Sequence, residues 1–386
     1  MSESQVALLC DNDFRATDNP ALSAAVNSGE KFSVVGFETP SLSRASTRRR
    51  TVYETARDSF FRALEKNRIE TKLMGHSQSL IRELKELGFR KVLVNSSVGT
   101  EENATLELVR QNGLQVEVFA AGDLFEESDL PFRVTETPST FTHFRKLVER
   151  SAISVRKGVT DLGEEWVGED ERAARDRFKD YTFDQRHIDH YLETRNGLLS
   201  ETDSSRLSID LARGVLSVRW VWHEILRYET EVAENKSTYW LRFELLWREY
   251  FRWCARQAGA NFFLNVQKSI FFEPSLGKIQ KWKEGRTESR FVNACMNELR
   301  ATGFLSNRGR QNAASYFAKT LKQDWRIGAA YFESELIDYD VSSNWGNWNY
   351  LAGTGNDPRD RIFNPEVQAE IYDPSGEYRR KWADSE

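Results

Sequence analysis

The amino-acid sequence predicts an α/β N-terminal domain, a doubly wound parallel sheet, followed by a mostly α-helical C-terminal domain. Three observations carry this. Short β-branched runs alternate with helix-periodic segments over the first third of the chain. Strand-like runs largely vanish after about residue 175. All 11 tryptophans fall at Trp166 or later, so the split in composition points to a split in architecture. At 386 residues the chain also exceeds the usual single-domain size.

The strand-length runs are QVALLC, FSVVGFE, IETKLMG, KVLVNSS and QVEVFAA. Between them NPALSAAVNSG, TVYETARDSFFRALEKNR, SQSLIRELKELG and TEENATLELVRQNG space their apolar residues as helices do. Ser77 and Thr100 are placed to cap helices, and Gly88 and Gly113 to stop them. Ligands of such sheets sit at the carboxyl ends of the strands. No G-x-G-x-x-G or Walker loop is present, so the standard nucleotide fingerprints are missing.

The expected organisation is an α/β domain over 1–124, a connector over 125–175 with scattered Pro and Gly, and a helical domain over 176–386. Helices are expected within 188–199, 208–233, 238–259, 289–303 and 308–338. No run of 18 apolar residues and no secretory leader is seen, so a cytoplasmic protein without a membrane span is expected. Three separated cysteines and five histidines argue against a disulfide framework, a zinc site or an iron–sulfur cluster.

Net charge is −5, against a general polycation. Yet between Arg300 and Arg326 six basic residues face only Asp324, and Lys278–Arg290 carries five bases and two acids. Such clusters suit either a phosphate backbone or a solvated helix face.

Three constellations carry candidate chemistry. On a helix Glu244, Trp247, Arg248 and Phe251 share one face. They fit either a core helix with an internal Glu–Arg pair or a cleft wall that stacks and hydrogen-bonds a flat ligand. Ser204-Ser-Arg-Leu-Ser208 precedes a helical run, as an anion site or as ordinary capping by a Ser or Asp203. Finally, Asp338, Asp340, Asn344 and Asn347 are woven among Trp345, Trp348 and Tyr350, a pattern suited to an aromatic heterocycle with many hydrogen-bonding edges.

These residues resemble the photolyase and cryptochrome family, specifically its DASH cryptochrome branch. The stretch TGFLSNRGRQNAASYFAKTLKQDWRIGAAYFESELIDYDVSSNWGNWNYLAGTGNDPR is close to that branch's flavin-domain signature. YDPSGEYRRKW, the segment from Glu193 to Leu198, the segment from Thr140 to Lys146 and the opening DNDFRATDNPAL add to the likeness, which covers nearly the full length.

The resemblance implies FAD held non-covalently by the helical domain. Tyr191, Ser204, Ser205, Arg206, Leu207 and Ser208 would hold its phosphates and ribityl end. Arg248, Asn307, Arg310, Asp338, Asp340 and Asn344 would line the isoalloxazine, with Asn344 facing N5. Glu244, Trp247, Gln311 and Tyr350 would lie in a lesion pocket, with Arg308 on flanking phosphates. Trp348 and Trp325 match the inner and middle members of an electron chain. The implied activity is light-driven repair of cyclobutane pyrimidine dimers in UV-damaged DNA, single strands favoured, by a monomer; the alternative is a blue-light receptor without efficient repair. A methenyltetrahydrofolate antenna is implied at Glu102, although acids at a helix start are equally expected from the helix dipole.

Departures from the family pattern cluster in one place. Where the family reads G-x-T-G-x-P-x-V-D-A-x-M-R, this chain has Glu288, Arg290, Asn293 and Asn297 for Gly, Pro, Asp and Arg. The loop is expected to be remodelled, since Gly to Glu removes access to positive φ. The outer tryptophan of the electron chain is replaced by Phe272.

Overall fold

A run of apolar residues buried on both sides makes β1 (Gln5–Cys10) the centre of a sheet. With β2 (Phe32–Phe37), β3 (Glu70–Met74), β4 (Phe89–Asn95) and β5 (Gln115–Phe119) it forms a five-stranded, all-parallel sheet in the order β3-β2-β1-β4-β5. Every residue of β2 is buried, whereas the edge strand β3 carries Glu70 and Lys72. The strand order reverses between β1 and β4, which makes their carboxyl ends the topological switch point. The structure, a computed structural model, describes residues 5–76, 78–159, 162–264, 273–353 and 362–383. The expected cap at Ser77 lies outside them.

The expected helices between the strands are present as α1 (Pro20–Asn27), α2 (Thr47–Lys66), α3 (Gln78–Glu86) and α4 (Thr100–Gln111). Asn19 caps α1 by accepting from the Leu22 amide at 3.1 Å, with Pro20 at the first helical position. Gly88 and Gly113 stop their helices in the left-handed region, at φ +79° and +84°. Thr100 does not cap α4. Gly99 takes the cap position and Thr100 begins the helix.

Contacts divide the chain into two compact units that are not the sequential blocks read from composition. The first comprises Met1–Arg133, Val148–Gln185 and Leu207–Glu234. The second comprises Val134–Leu147, Arg186–Arg206 and Asn235–Glu386. Residues 207–234 join the sheet unit through buried polar bonds. Ser217 donates to Asp18 at 2.5 Å, Arg15 donates to the Gly214 carbonyl at 2.9 Å, and Arg219 donates to the Asp123 carbonyl at 2.9 Å. Gly214 has φ +63°, and a Cβ there would strike the Asn12 carbonyl. Trp166, Trp220 and Trp222 therefore fold with the sheet, and the tryptophan split is not the split between units.

The second unit is built on α5 (Lys236–Ala258), whose N-terminus is a capping box between Asn235 and Thr238. It continues with α6 (Arg290–Thr302), α7 (Asn307–Ser315), α8 (Trp325–Glu335), α9 (Val341–Ala352) and α10 (Glu377–Ala383). Trp282, Phe317, Phe332 and Trp348 pack at its core. Three expected helices are interrupted. That over 188–199 is only a 3-10 turn at His187–His190 and a turn of helix at Tyr191–Thr194. That over 208–233 breaks at Gly214 and restarts from the cap Ser217. That over 308–338 passes through a π turn at Tyr316–Thr320 before Asp324 caps α8.

Candidate active site

Glu244, Trp247 and Arg248 lie on α5, as expected, but the pairing differs from an intrahelical Glu–Arg pair. Glu244 accepts instead from Arg195 at 2.6 Å, and Arg248 lies 3.9 Å from Asp340. The Arg195 guanidinium also covers the Trp240 ring at 5.2 Å. Burial raises the Glu244 carboxyl above the usual carboxylate range, while Arg195 and the Trp240 indole pull it back.

Trp247 stands in an aromatic wall. Phe141 stacks on it at 3.8 Å and 14°, so one indole face is already covered. Tyr350 meets it edge-on at 5.7 Å, which brings two expected pocket residues together.

Asp340 caps α9 by accepting from the Ser343 amide at 2.7 Å. Burial alone would raise its pKa, but Arg248, Arg252 and the Ser343 bonds outweigh burial and hold it below the usual range. Asp338 is buried and takes both of its oxygens to Arg310, at 2.9 and 2.7 Å. One turn into α9, Asn344 donates to the Ala329 carbonyl at 3.1 Å, which leaves its oxygen as an acceptor. Arg310 also donates to the Leu305 carbonyl at 2.7 Å.

Other expected residues are placed as follows. Asn307 begins α7 and is exposed, with Ser306 as the cap. Arg308 donates to Asn196 at 3.1 Å and lies over Tyr372 at 4.4 Å; burial holds its pKa below the usual arginine value. Gln311 Oε1 and the Nε atoms of Arg195 and Arg308 are buried with no hydrogen-bond partner among the described residues. Tyr191 is buried. Ser204 and Ser205 lie in the turn before Arg206, which takes φ +49° and covers Phe304 at 4.8 Å. The chain passes from one unit to the other between Arg206 and Leu207, so Leu207 and Ser208 belong to the sheet unit.

Trp348 is buried against Phe332, Phe317 and Trp282, and a Cβ on Gly328 would strike its ring. Trp325 is buried and meets Trp345 edge-on at 5.9 Å. Phe272 lies outside the described residues. Sequence reasoning missed Arg195, Trp240 and Phe141. Arg195 and Phe141 lie on segments remote from Glu244 and only tertiary contact marks them, whereas Trp240, four residues before Glu244 on α5, carried the same-face spacing as its signal.

The altered segment closes on itself. Asn293 accepts from the Thr287 amide and hydroxyl, each at 2.7 Å, and donates to the Thr287 carbonyl at 2.9 Å. Asn297 donates to the Trp382 carbonyl at 3.0 Å and ties α6 to α10. Glu288 is absent from the residues of positive φ, so the loop no longer needs a glycine there.

In the sheet unit, Glu102 sits in the first turn of α4 with its carboxylate folded over Gly99, in the space a Cβ would take. At the switch point Cys10 donates to Asp13 at 2.8 Å, and Asn95 donates to Asp13 and, at 2.8 Å, to Asn19. Burial and the charges of Asp13 and Glu102 push Asp11 up to about 8. Among the described residues no helix is long and apolar enough to cross a membrane, and no group of three His, Cys, Asp or Glu side chains is placed to hold a metal.

Residues 240–385 match the family described as the FAD binding domain of DNA photolyase, and residues 6–159 match the DNA photolyase family. A "Cryptochrome DASH" of Idiomarina loihiensis is 45% identical over 67% of this chain and 63% of its own length. One of Natronomonas pharaonis is 36% identical over 96% of this chain and 88% of its own. Among solved structures, a Synechocystis cryptochrome superposes with a TM-score of 0.88 at 33% identity, covering 99% of this chain and 89% of that one. The sheet order, the helical unit and these likenesses agree: the chain belongs to the photolyase/cryptochrome family, in its DASH branch, and carries that family's FAD-binding domain.

Proposed function

We propose that this protein is a deoxyribodipyrimidine photolyase that uses blue light and FAD to split cyclobutane pyrimidine dimers, preferentially in single-stranded DNA. The observation that carries this reading is Glu244, a half-buried carboxyl with a raised pKa, oriented by Arg195 beside the Trp247–Tyr350 wall. A carboxyl that keeps its proton nearer neutrality donates a hydrogen bond to a pyrimidine carbonyl and stabilises added negative charge there.

The donor set fits a flavin. The Arg310–Asp338 and Arg248–Asp340 pairs offer charged edges to the isoalloxazine rim, and the free oxygen of Asn344 suits an N–H at N5. Tyr191, Ser204, Ser205, Arg206, Leu207, Ser208 and Asn307 would serve the rest of the cofactor. When bound and reduced, FAD supplies the excited electron that opens the cyclobutane ring. The chain's own residues do the rest. Trp247 and Tyr350 exclude water from a flipped dimer, and the partnerless Gln311 oxygen accepts from a pyrimidine N–H. Arg308, with its neighbouring cations, holds flanking phosphate. Trp348 and Trp325 would relay electrons inward. A folate antenna at Glu102 belongs to the same proposal.

A second reading, a blue-light receptor that binds FAD and nucleic acid without efficient repair, is favoured by the self-closed loop at Thr287–Asn293. Illumination of the reduced protein with dimer-containing oligo(dT), single- and double-stranded, distinguishes the two. Recovery of thymine absorbance, faster on single strands, is expected; no recovery on either strand form rejects repair.

A further inference from the structure

With Phe272 at the position of the outer tryptophan, the end point of a hole carried by Trp348 and Trp325 has to be found among other side chains. Among the described residues two aromatic paths are available. Along the first, Trp282 lies edge-on to Trp348 at 6.0 Å, and Tyr331 edge-on to Trp282 at 5.7 Å. Along the second, Trp345 lies edge-on to Trp325 at 5.9 Å. Its indole N–H reaches Glu333 Oε2 at 3.0 Å and the Tyr339 hydroxyl at 3.3 Å, and that hydroxyl donates to the same Glu333 oxygen at 3.0 Å.

The chemistry of phenol oxidation separates the paths. Removing an electron from tyrosine makes its hydroxyl strongly acidic, so the hole is trapped only where the proton has somewhere to go. Tyr331 carries the Lys283 ammonium 4.9 Å from its ring centre, a cation that disfavours further positive charge. Burial also pushes its hydroxyl up to about 12. Tyr339 is the opposite case, because its proton already lies on a bond to a buried carboxyl group. Trp345 shares that acceptor, so the relay and the terminus are coupled through one oxygen.

We propose that a hole reaching Trp325 passes through Trp345 and ends on Tyr339, with Glu333 taking the phenolic proton. The proposal rests on the reading of Trp325 as an electron relay. Oxidised Trp325 regains one electron from Trp345, which regains one from Tyr339. Tyr339 loses that electron and passes its proton to Glu333 Oε2, leaving a neutral tyrosyl radical and a protonated carboxyl. The electron first withdrawn from the chain goes to a photoexcited oxidised flavin.

Flash excitation of the flavin-loaded full chain, with the radicals identified by electron paramagnetic resonance, tests this. Wild type is expected to give a tyrosyl signal. Tyr339→Phe and Glu333→Gln are expected to lose it and leave an indolyl signal, whereas Tyr331→Phe keeps it. A tyrosyl signal retained in Tyr339→Phe, while Trp325→Phe still abolishes all radicals, overturns the proposal alone. Radicals undiminished in Trp325→Phe overturn the relay reading and the proposal with it. In flavin-free protein, azide radicals oxidise indoles directly. Conversion of indolyl to tyrosyl radical should then fall in Tyr339→Phe to the level of Trp345→Phe, and conversion at the wild-type rate rejects Tyr339 as the terminus.

Discussion

The Arg195 guanidinium donates to Glu244 at 2.6 Å, from a segment 49 residues earlier in the chain. The contact sets both the direction of the carboxyl and its proton affinity, since Arg195 is the principal charge opposing the effect of burial. Removing it by Arg195→Ala should therefore raise the Glu244 pKa further. The pH at which dimer-repair yield changes should move upward, and Glu244→Gln should abolish that dependence while FAD stays bound. Repair yield against pH for the three proteins, beside flavin absorbance, checks this; superimposed profiles reject the role given to the pair.

Gly328 on α8 is kept side-chain-free by Trp348 on α9, whose ring carbon would lie 2.3 Å from an added Cβ. Gly328→Ala must displace a buried indole, an overpacking cost of about 1–3 kcal/mol. A lower melting temperature is expected, together with slower photoreduction than in wild type. Unaltered photoreduction in a folded Gly328→Ala protein would contradict the placement of Trp348 in the electron chain.

Much of the sheet was legible because each strand and helix there carries its own local pattern. β1 and β2 are continuous apolar runs, and Gly88 and Gly113 mark stops that only positive φ explains. The helical unit was less legible. Its helices are interrupted by a π turn at Tyr316–Thr320 and by short turns near Tyr191, which periodicity alone does not register. On α5 the i,i+4 spacing left an internal Glu244–Arg248 pair open as one alternative, and only the tertiary fold delivers Arg195 as the partner. Residues 207–234 read as part of the helical domain for the same reason. The bonds from Ser217 and Arg15 that fix them to the sheet unit bridge 199 residues.

Arg310 holds Asp338 with two bonds from one guanidinium nitrogen while its Nε holds the Leu305 carbonyl. Lysine cannot reproduce that fork. Arg310→Lys should leave the buried Asp338 undersatisfied, at a cost of about 1–3 kcal/mol, and should weaken retention of FAD. Flavin released on gel filtration, compared with wild type at equal protein concentration, measures the effect. Full retention would remove Arg310 from the flavin site.

Asp11, at the carboxyl end of β1, gives the clearest pH prediction. Its pKa of about 8 in the folded chain lies far above the ordinary aspartate value, through burial and then the charges of Asp13 and Glu102. The folded state therefore binds more protons than the unfolded state between those two values. A carboxyl of this kind favours folding fully below its unfolded pKa, and the favour is lost as pH rises through its folded pKa. Asp11→Asn removes the charge but keeps the shape. It should melt several degrees above wild type at pH 9 and close to wild type at pH 4, where both side chains are neutral in the folded state. Thermal melts of the two flavin-free proteins across that range decide the matter, and a gap in melting temperature that does not widen with pH excludes Asp11 as the titrating group.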